Sequence, residues 1–256
     1  MRVKQYLFVL SLLLIVTACS SDEDYLFNEI EKVELPRSIE AVTLKYPLSS
    51  FITTVDITSS DKTRLDEILA TMQTTFGGGY NPLFIKLKAS PIAKICRGTT
   101  DGTAPASYNP TTNVITIKSG DNITDNMLEE ELIHAGQNRV YTGGIAKYAK
   151  TAGTPNIEFE AKLTQDLIAY VNGYPFNLGA GPDNFDEYSI WVMILCGDAD
   201  NPQFPSMPTV LTIKEGSYGY YQMVEAFKTK APQYNYPVLN NLKPLYINYT
   251  NLNYGM

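Results

Sequence analysis

The stretch that decides the fold is residues 128–137, which read LEEELIHAGQ. It holds three consecutive glutamates and the only histidine of the 256-residue chain, His134. Glu130 lies four residues and Glu131 three residues before His134, and both spacings place side chains on one face of a helix. The pattern therefore predicts a helix from about residue 124 to 137 that gathers carboxylates around one imidazole.

A second predicted helix, from about residue 156 to 172, follows this one along the chain. It carries Glu158 and Glu160 near its start, and Gly173 ends it. Because the chain has a single histidine, a metal site built on two or three imidazoles cannot form within one copy of it. Any chemistry that needs an imidazole has to use His134.

The two helices together resemble the gluzincin class of zinc metallopeptidases. In that class a helical H-E-x-x-H supplies two histidine ligands and a glutamate base, and the next helix supplies a glutamate ligand. The Ala-x-Gln that follows His134 and the Glu-x-x-Ala of the next helix extend the resemblance, which covers roughly residues 60–175. It implies an α+β, zincin-like domain: a small mixed sheet with an edge strand, assigned to residues 114–118, then the active-site helix and a mainly helical C-terminal part.

The resemblance also implies roles for single residues. It makes Glu131 the general base, His134 the second histidine ligand and Glu158 the downstream ligand, with Glu160 as the less favoured choice. Glu130 stands where the first histidine is expected, so the implied metal ligands are Glu130, His134 and Glu158. Zinc accepts carboxylate oxygens, but two of them weaken its Lewis acidity, and a harder divalent cation suits oxygen ligands better.

Three interpretations stay open from the sequence. The first is a zincin-like scaffold that has lost its peptidase chemistry and acts as a binding module for a peptide, protein or glycan. The second is a metal-dependent peptidase that holds one zinc or another divalent cation on Glu130, His134 and Glu158 and uses Glu131 as its base. The third is a solvated acidic helix with a chance histidine. Without a metal, the carboxylates would raise the pKa of His134 and leave it cationic.

The first twenty residues predict a lipoprotein. Arg2 and Lys4 precede an apolar run at residues 6–16, which is much shorter than the roughly 20 residues that a membrane-spanning helix needs. The letters VTA before Cys19 resemble a bacterial lipobox. We therefore expect residues 1–18 to be a signal peptide and Cys19 to be the lipidated first residue of the mature chain, held in the membrane by its acyl chains.

The segment after Cys19 predicts where the protein is displayed. Residues 21–24 read SDED, which looks like the export signal of lipoproteins on the outer surface of some Gram-negative bacteria. Residues 19–37 are then a tether and residues 38–256 a single domain, lipid-anchored in the outer membrane and exposed on the cell surface. The net charge of −7 argues against a nucleic-acid partner.

The remaining pattern predicts the other elements of the domain and leaves one question on its cysteines. Cys96 and Cys196 either pair or lie buried as small apolar side chains. The further predicted elements are a strand at 42–46, a helix at 59–76, a strand at 83–89, a hairpin at 106–118, and helices at about 184–195, 207–214 and 217–229.

Overall fold

Four strands and eight helices make up the part of the chain that a computed structural model describes. The described residues are 44–76, 78–100, 102–176, 185–212 and 219–255, and they belong to one structural unit, Thr43–Met256. The predicted signal peptide (1–18), the lipidation site Cys19, the tether (19–37) and the predicted domain start at residue 38 lie outside these residues.

The strands form one mixed sheet. They are β1 (Ile52–Asp56), β2 (Ile92–Gly98), β3 (Ala106–Asn109) and β4 (Val114–Lys118), in the spatial order β1-β2-β4-β3. β1, β2 and β4 run parallel, and β3 is antiparallel to β4. With helices before and after the sheet, the predicted α+β class and its small mixed sheet are confirmed.

The assignment of residues 114–118 to the edge of the sheet is wrong. The predicted hairpin is present, but after its turn the chain places β4 between β2 and β3. β4 suits that place because Ile115 and Ile117 are fully buried. The turn ends at Asn113, which has a left-handed backbone conformation with a φ of 57°. The chain then continues into β4, which pairs with β2. The edge on this side of the sheet is therefore β3.

The helices match most of the predicted ones. The predicted helices at 59–76, 124–137, 156–172, 184–195, 207–214 and 217–229 all have a counterpart, and the predicted positions 184, 213–214 and 217–218 lie outside the described residues. The bounds are α1 (Ser59–Thr74), α2 (Asn81–Ala89), α3 (Asp125–Val140), α4 (Thr154–Val171), α5 (Phe185–Cys196), α6 (Met207–Thr212), α7 (Tyr220–Lys230) and α8 (Leu245–Leu252).

Residues 83–89, predicted to be a strand, form most of α2 instead. Pro82 lies in the first turn, where a helix tolerates it because that turn's N–H groups have no partner within the helix. Leu83 and Leu87 are buried one helical turn apart, while Ile85 is 38% exposed. The alternation of apolar residues was thus part of a helical pattern.

The strand predicted at 42–46 is also wrong where the structure describes it, from residue 44 onward. Tyr46 donates its backbone N–H to Gln73 Oε1 (2.8 Å) and accepts from Gln73 Nε2 at its carbonyl oxygen (2.9 Å). One side-chain amide on α1 therefore takes the place of a neighbouring strand. The sheet begins only at Ile52.

Gly136, in the middle of α3, allows three helices to meet closely. A Cβ atom there would lie 2.7 Å from Cε2 of Tyr246 on α8 and 2.8 Å from Cδ1 of Leu83 on α2. Glycine is unfavourable inside a helix by about 1 kcal/mol relative to alanine, so the close approach of these side chains explains its presence. The opposite face of α3 carries His134, which is 8% exposed.

Both cysteines of the described residues are free thiols, Cys96 half-buried and Cys196 buried. Of the two alternatives left open, the structure has the unpaired one. Burial raises the pKa of the Cys196 thiol to about 12, so it packs as a small apolar group. No helix within the described ranges combines the length and the apolar character needed to cross a membrane.

A buried cluster of carboxylates, histidine and lysine

The packing of α3 on α4 brings together the three residues assigned as metal ligands. His134 Nε2 lies 3.3 Å from Glu158 Oε2 and 4.0 Å from Glu130 Oε1. One ligand atom from each of the three residues lies within 4.8 Å of the other two. On spacing alone, this group can hold a metal ion.

A fourth residue, Lys162, completes the cluster. It lies one turn after Glu158 on α4, and its Nζ is 2.7 Å from Oε1 and 2.8 Å from Oε2 of Glu130. The side chains of this ion pair are only 27% and 18% exposed. Burial lowers the pKa of Lys162, but Glu130 and the carboxylates near it raise it above its ordinary value. Both oxygens of Glu130 therefore contact a positively charged lysine ammonium.

The other ring nitrogen of His134 is fixed by a hydrogen-bond chain. Its Nδ1 lies 2.8 Å from Gln137 Oε1. Gln137 Nε2 donates to Glu160 Oε2 (2.8 Å) and to the carbonyl oxygen of Ile157 (2.9 Å). The amide oxygen of Gln137 therefore accepts, so Nδ1 of His134 carries the proton and Nε2 faces the carboxylates. Such support commonly orients a metal-binding histidine.

The charges around His134 decide its protonation. Burial lowers the pKa of His134, but the three surrounding carboxylates, Glu158 foremost, outweigh burial and raise it to about 10. Burial raises the pKa of Glu158, and the cations His134 and Lys162 together with a tyrosine hydroxyl bring it below its usual range. At neutral pH, His134 and Lys162 are therefore two cations facing ionised carboxylates.

Glu131, assigned as the general base, lies between this cluster and the edge of the sheet. It is 9% exposed, and burial, opposed by the charge of His134, raises its pKa to about 7. The backbone N–H of Tyr108 on β3 lies near enough to lower this pKa. The carboxylate is therefore beside both His134 and the edge strand.

Glu160, the less favoured ligand, takes no part in the cluster. Its Oε1 accepts from the backbone N–H groups of Tyr246 (2.7 Å) and Ile247 (3.2 Å) at the start of α8. Its Oε2 accepts from Gln137 and from the Tyr141 hydroxyl (2.7 Å). These four donors make Glu160 a structural anchor that fastens α8 to α4, despite a pKa that burial raises to about 7.

Two members of the cluster were not found from the sequence. Lys162 had a signal that was available, since it lies four residues after Glu158 and so on the same helix face. Tyr234, in the 3₁₀ segment Pro232–Tyr234, lies close enough to Glu158 for its hydroxyl to lower the pKa of that carboxylate. Its distance along the chain from Glu158 leaves no local pattern that could have indicated this contact.

The charges of the cluster compete with a doubly charged metal ion. Ligand atoms 3.3–4.0 Å apart suit an ion about 2.0–2.2 Å from each of them. However, a metal ion needs free carboxylate oxygens and an unprotonated imidazole nitrogen. An ion at the centre would have to displace Lys162 from Glu130 and a proton from His134.

No protein-family model, curated protein sequence or solved structure matches this chain. What the cluster does is therefore argued from its own contacts.

Proposed function

We propose that this chain is an outer-membrane lipoprotein, exposed on the cell surface, whose zincin-like domain binds an extended peptide segment and does not cleave it. The observation that carries the proposal is the ion pair in which Lys162 Nζ contacts both oxygens of Glu130. The ammonium group of Lys162 therefore binds Glu130, the residue that stands where the resemblance expects the first histidine.

The loss of peptidase chemistry follows from this charge balance. A zinc ion supports hydrolysis because its charge lowers the pKa of a bound water to near 7. Here Lys162 and the protonated His134 already neutralise carboxylates that would otherwise attract the ion. Glu131, the base implied by the resemblance, then has no activated water from which to take a proton.

The edge of the sheet supports peptide binding. Within the described residues β3 pairs only with β4. The Asn113 N–H donates to the Asn109 carbonyl oxygen (2.8 Å), so Asn109 directs its backbone groups toward β4. Because this direction alternates along an antiparallel strand, Ala106 and Tyr108 direct their backbone groups to the open edge. A peptide adds to such an edge as a further strand through main-chain hydrogen bonds. This favours a peptide over a glycan.

The topology supports the zincin-like part of the proposal. The hairpin of β3 and β4 leads directly into α3, and α3 packs against β3. The helix with Glu130 and His134 and the following helix with Glu158 thus occur in the order that the resemblance implies, whereas the edge strand is β3 and not the expected residues 114–118. A peptide on β3 would lie next to Glu131, whose pKa the Tyr108 backbone N–H of that strand lowers.

The second candidate function is a metal-dependent peptidase with Glu130, His134 and Glu158 as ligands. It is favoured by the close approach of the three ligand atoms and by the pKa of about 7 at Glu131, which suits a general base. It requires Lys162 to leave the cluster. The two candidates therefore differ in a measurable property, the metal content of the purified protein.

The deciding experiment measures zinc content and casein hydrolysis of the full chain purified without chelators. We expect the natural protein to hold far less than one zinc per chain and to leave casein intact. Glu130→His restores H-E-x-x-H but leaves Lys162 beside it, so zinc binding should rise further in the double variant Glu130→His/Lys162→Met. The matched control is Lys62→Met, which removes an exposed lysine paired with Asp66. One zinc per chain with casein hydrolysis in the natural protein would establish the peptidase instead.

Lipidation is tested separately on Cys19. Mass spectrometry of the membrane fraction should find an acylated N-terminal Cys19. Cys19→Ala should release the protein from the membrane or stall its processing. A Cys19→Ala protein that is processed and stays equally membrane-bound would contradict the lipoprotein assignment.

A further inference from the structure

The residue before Glu130 faces a different part of the molecule. Glu129 lies at the wall of a cavity of about 190 Å³ between α1, α3 and α4. Gln165 and Asp166 of α4 also line it, together with the aromatic side chains of Phe76, Tyr80 and Tyr174. None of the lining residues belongs to the cluster of Glu130, so this is a separate site.

Two buried carboxylates border the cavity, and the hydrogen bonds identified for Glu129 come from neutral groups. Glu129 is 5% exposed, and its Oε2 accepts from the Tyr80 hydroxyl (2.8 Å) and from Gln165 Nε2 (3.4 Å). Asp166 is 1% exposed and accepts from the Tyr188 hydroxyl (2.5 Å). Burial and the negative charges of Glu129 and Asp166 raise the pKa of Tyr80, which places all three groups in one electrostatic environment.

No lysine or arginine is among the described residues that line the cavity. Its third carboxylate, Asp125 at the more exposed end, is paired with Arg64 at 2.5 Å. Glu129, by contrast, has no basic side chain among its identified contacts. Buried charge of this kind is costly unless a counter-charge is bound.

The other walls are aromatic. The ring of Phe76 packs edge-on against Tyr80, with centroids 5.6 Å apart, and against Tyr174 at 5.2 Å. Tyr174 is 42% exposed and lies at the mouth of the cavity. Aromatic rings next to carboxylates bind ammonium groups because the ring faces attract a cation and its alkyl substituents fill the apolar space.

We propose that this cavity binds a small organic ammonium ion, with the cationic nitrogen near Glu129 and its alkyl groups against Phe76, Tyr80 and Tyr174. A metal ion is a poorer fit, because only Glu130, His134 and Glu158 form a metal-type group among the described residues. The proposal does not depend on the function assigned to the neighbouring cluster.

The test compares choline with its uncharged carbon isostere, 3,3-dimethylbutan-1-ol. The full chain is held in a non-ionic detergent and titrated by calorimetry with each compound. The two ligands have the same shape, so a difference in affinity reports the charge. We expect choline to bind at least about ten-fold more tightly. Equal affinities, or no binding of choline at tens of millimolar, would overturn the proposal.

Two variants locate the binding site. Glu129→Gln keeps the shape and removes the charge, so it should weaken choline binding by about ten-fold or more. Tyr174→Leu removes one ring at an exposed position that the fold tolerates, and should weaken binding about three-fold even if Glu129→Gln fails to fold. The control Glu225→Gln alters an exposed carboxylate on α7 and should change nothing. Unchanged choline affinity in the folded Glu129 and Tyr174 variants would refute the site.

Discussion

Glu129 and Glu130 are consecutive residues of one helix, yet their carboxylates lie in opposite situations. Glu130 is bound through both oxygens by the ammonium of Lys162. Glu129 is more deeply buried, and among the described residues its hydrogen bonds come from the neutral groups of Tyr80 and Gln165. Successive helical residues point about 100° apart, so one helix presents each carboxylate to a different packing partner.

The difference shows what decides whether a buried carboxylate needs a ligand. Glu130 has an internal cation, so the site that resembles a metal centre is already neutralised. Glu129 has hydrogen bonds but no counter-charge among its identified contacts, and a cavity adjoins it. The pattern LEEELIH therefore contains both situations, a carboxylate that an internal cation neutralises and, one residue earlier, a carboxylate at the wall of the cavity proposed above to bind an organic ammonium ion.

The strongest way to break this comparison is to remove the cation at Glu130. Lys162→Met leaves Glu130, Glu158 and the neighbouring Glu131 with His134 as their one remaining cation among the described residues. We expect the free energy of unfolding at neutral pH to fall by about 3–5 kcal/mol, the range for a buried ion pair that loses one partner. Urea unfolding measures this. Lys62→Met, which removes an exposed pair with Asp66, should cost well under about 1 kcal/mol.

A double variant shows whether the loss comes from the pair. Lys162→Met/Glu130→Met removes both charges and replaces them with apolar side chains, so it should recover much of the stability lost in Lys162→Met. A Lys162→Met protein that is as stable as the natural one would contradict a charge-balancing role for the lysine.

The next largest effect concerns the second cation, His134. Its pKa of about 10 in the folded protein lies above the ordinary value of 6.5. The protonated imidazole therefore contributes stability that is fully present below pH 6.5 and is lost as the pH rises through 10. His134→Gln should lower the free energy of unfolding by about 2 kcal/mol at pH 6.

This difference should disappear as the pH approaches 10, which urea unfolding at pH 6, 8 and 10 can follow. Glu131 changes stability in the same direction, because its raised pKa of about 7 favours the protonated form in the folded state. Only the difference in the free energy of unfolding between the natural protein and His134→Gln therefore reports on His134. Parallel pH profiles would contradict the cationic histidine.

The smallest effect is expected at Glu129. Burial raises its pKa, so the ionised carboxylate carries a desolvation cost that its neutral donors offset only in part. Glu129→Gln removes that cost and keeps an acceptor for the Tyr80 hydroxyl. The free energy of unfolding should change by no more than about 1 kcal/mol in the absence of a ligand. A loss as large as that of Lys162→Met would mean that an unseen counter-charge holds Glu129.

The sequence was sufficient for the part of the site that the spacing of residues along one helix determines. Helical spacing alone placed Glu130 and His134 on one face, and the resemblance placed Glu158 opposite them. It was insufficient where a contact joins distant parts of the chain. Tyr234 reaches Glu158 from the C-terminal region, and no pattern near either residue records that contact.

The same limit explains the errors in the sheet. β1 and β2 were not predicted, because neither Ile52–Asp56 nor Ile92–Gly98 has a clean alternation of apolar and polar residues. The hairpin of β3 and β4 was predicted from its turn, whereas the insertion of β4 between two strands depends on pairing with β2. Long-range pairing of this kind leaves little trace in a local window.

The most direct test of the account is the ¹⁵N NMR spectrum of the histidine at neutral pH, with and without equimolar zinc. Since His134 is the only histidine, its two ring nitrogens give the only imidazole signals. We expect both nitrogens to be protonated, a titration midpoint near 10, and no change when zinc is added. An unprotonated Nε2 that shifts on addition of zinc would contradict the charge-balanced cluster and show that His134 is a metal ligand.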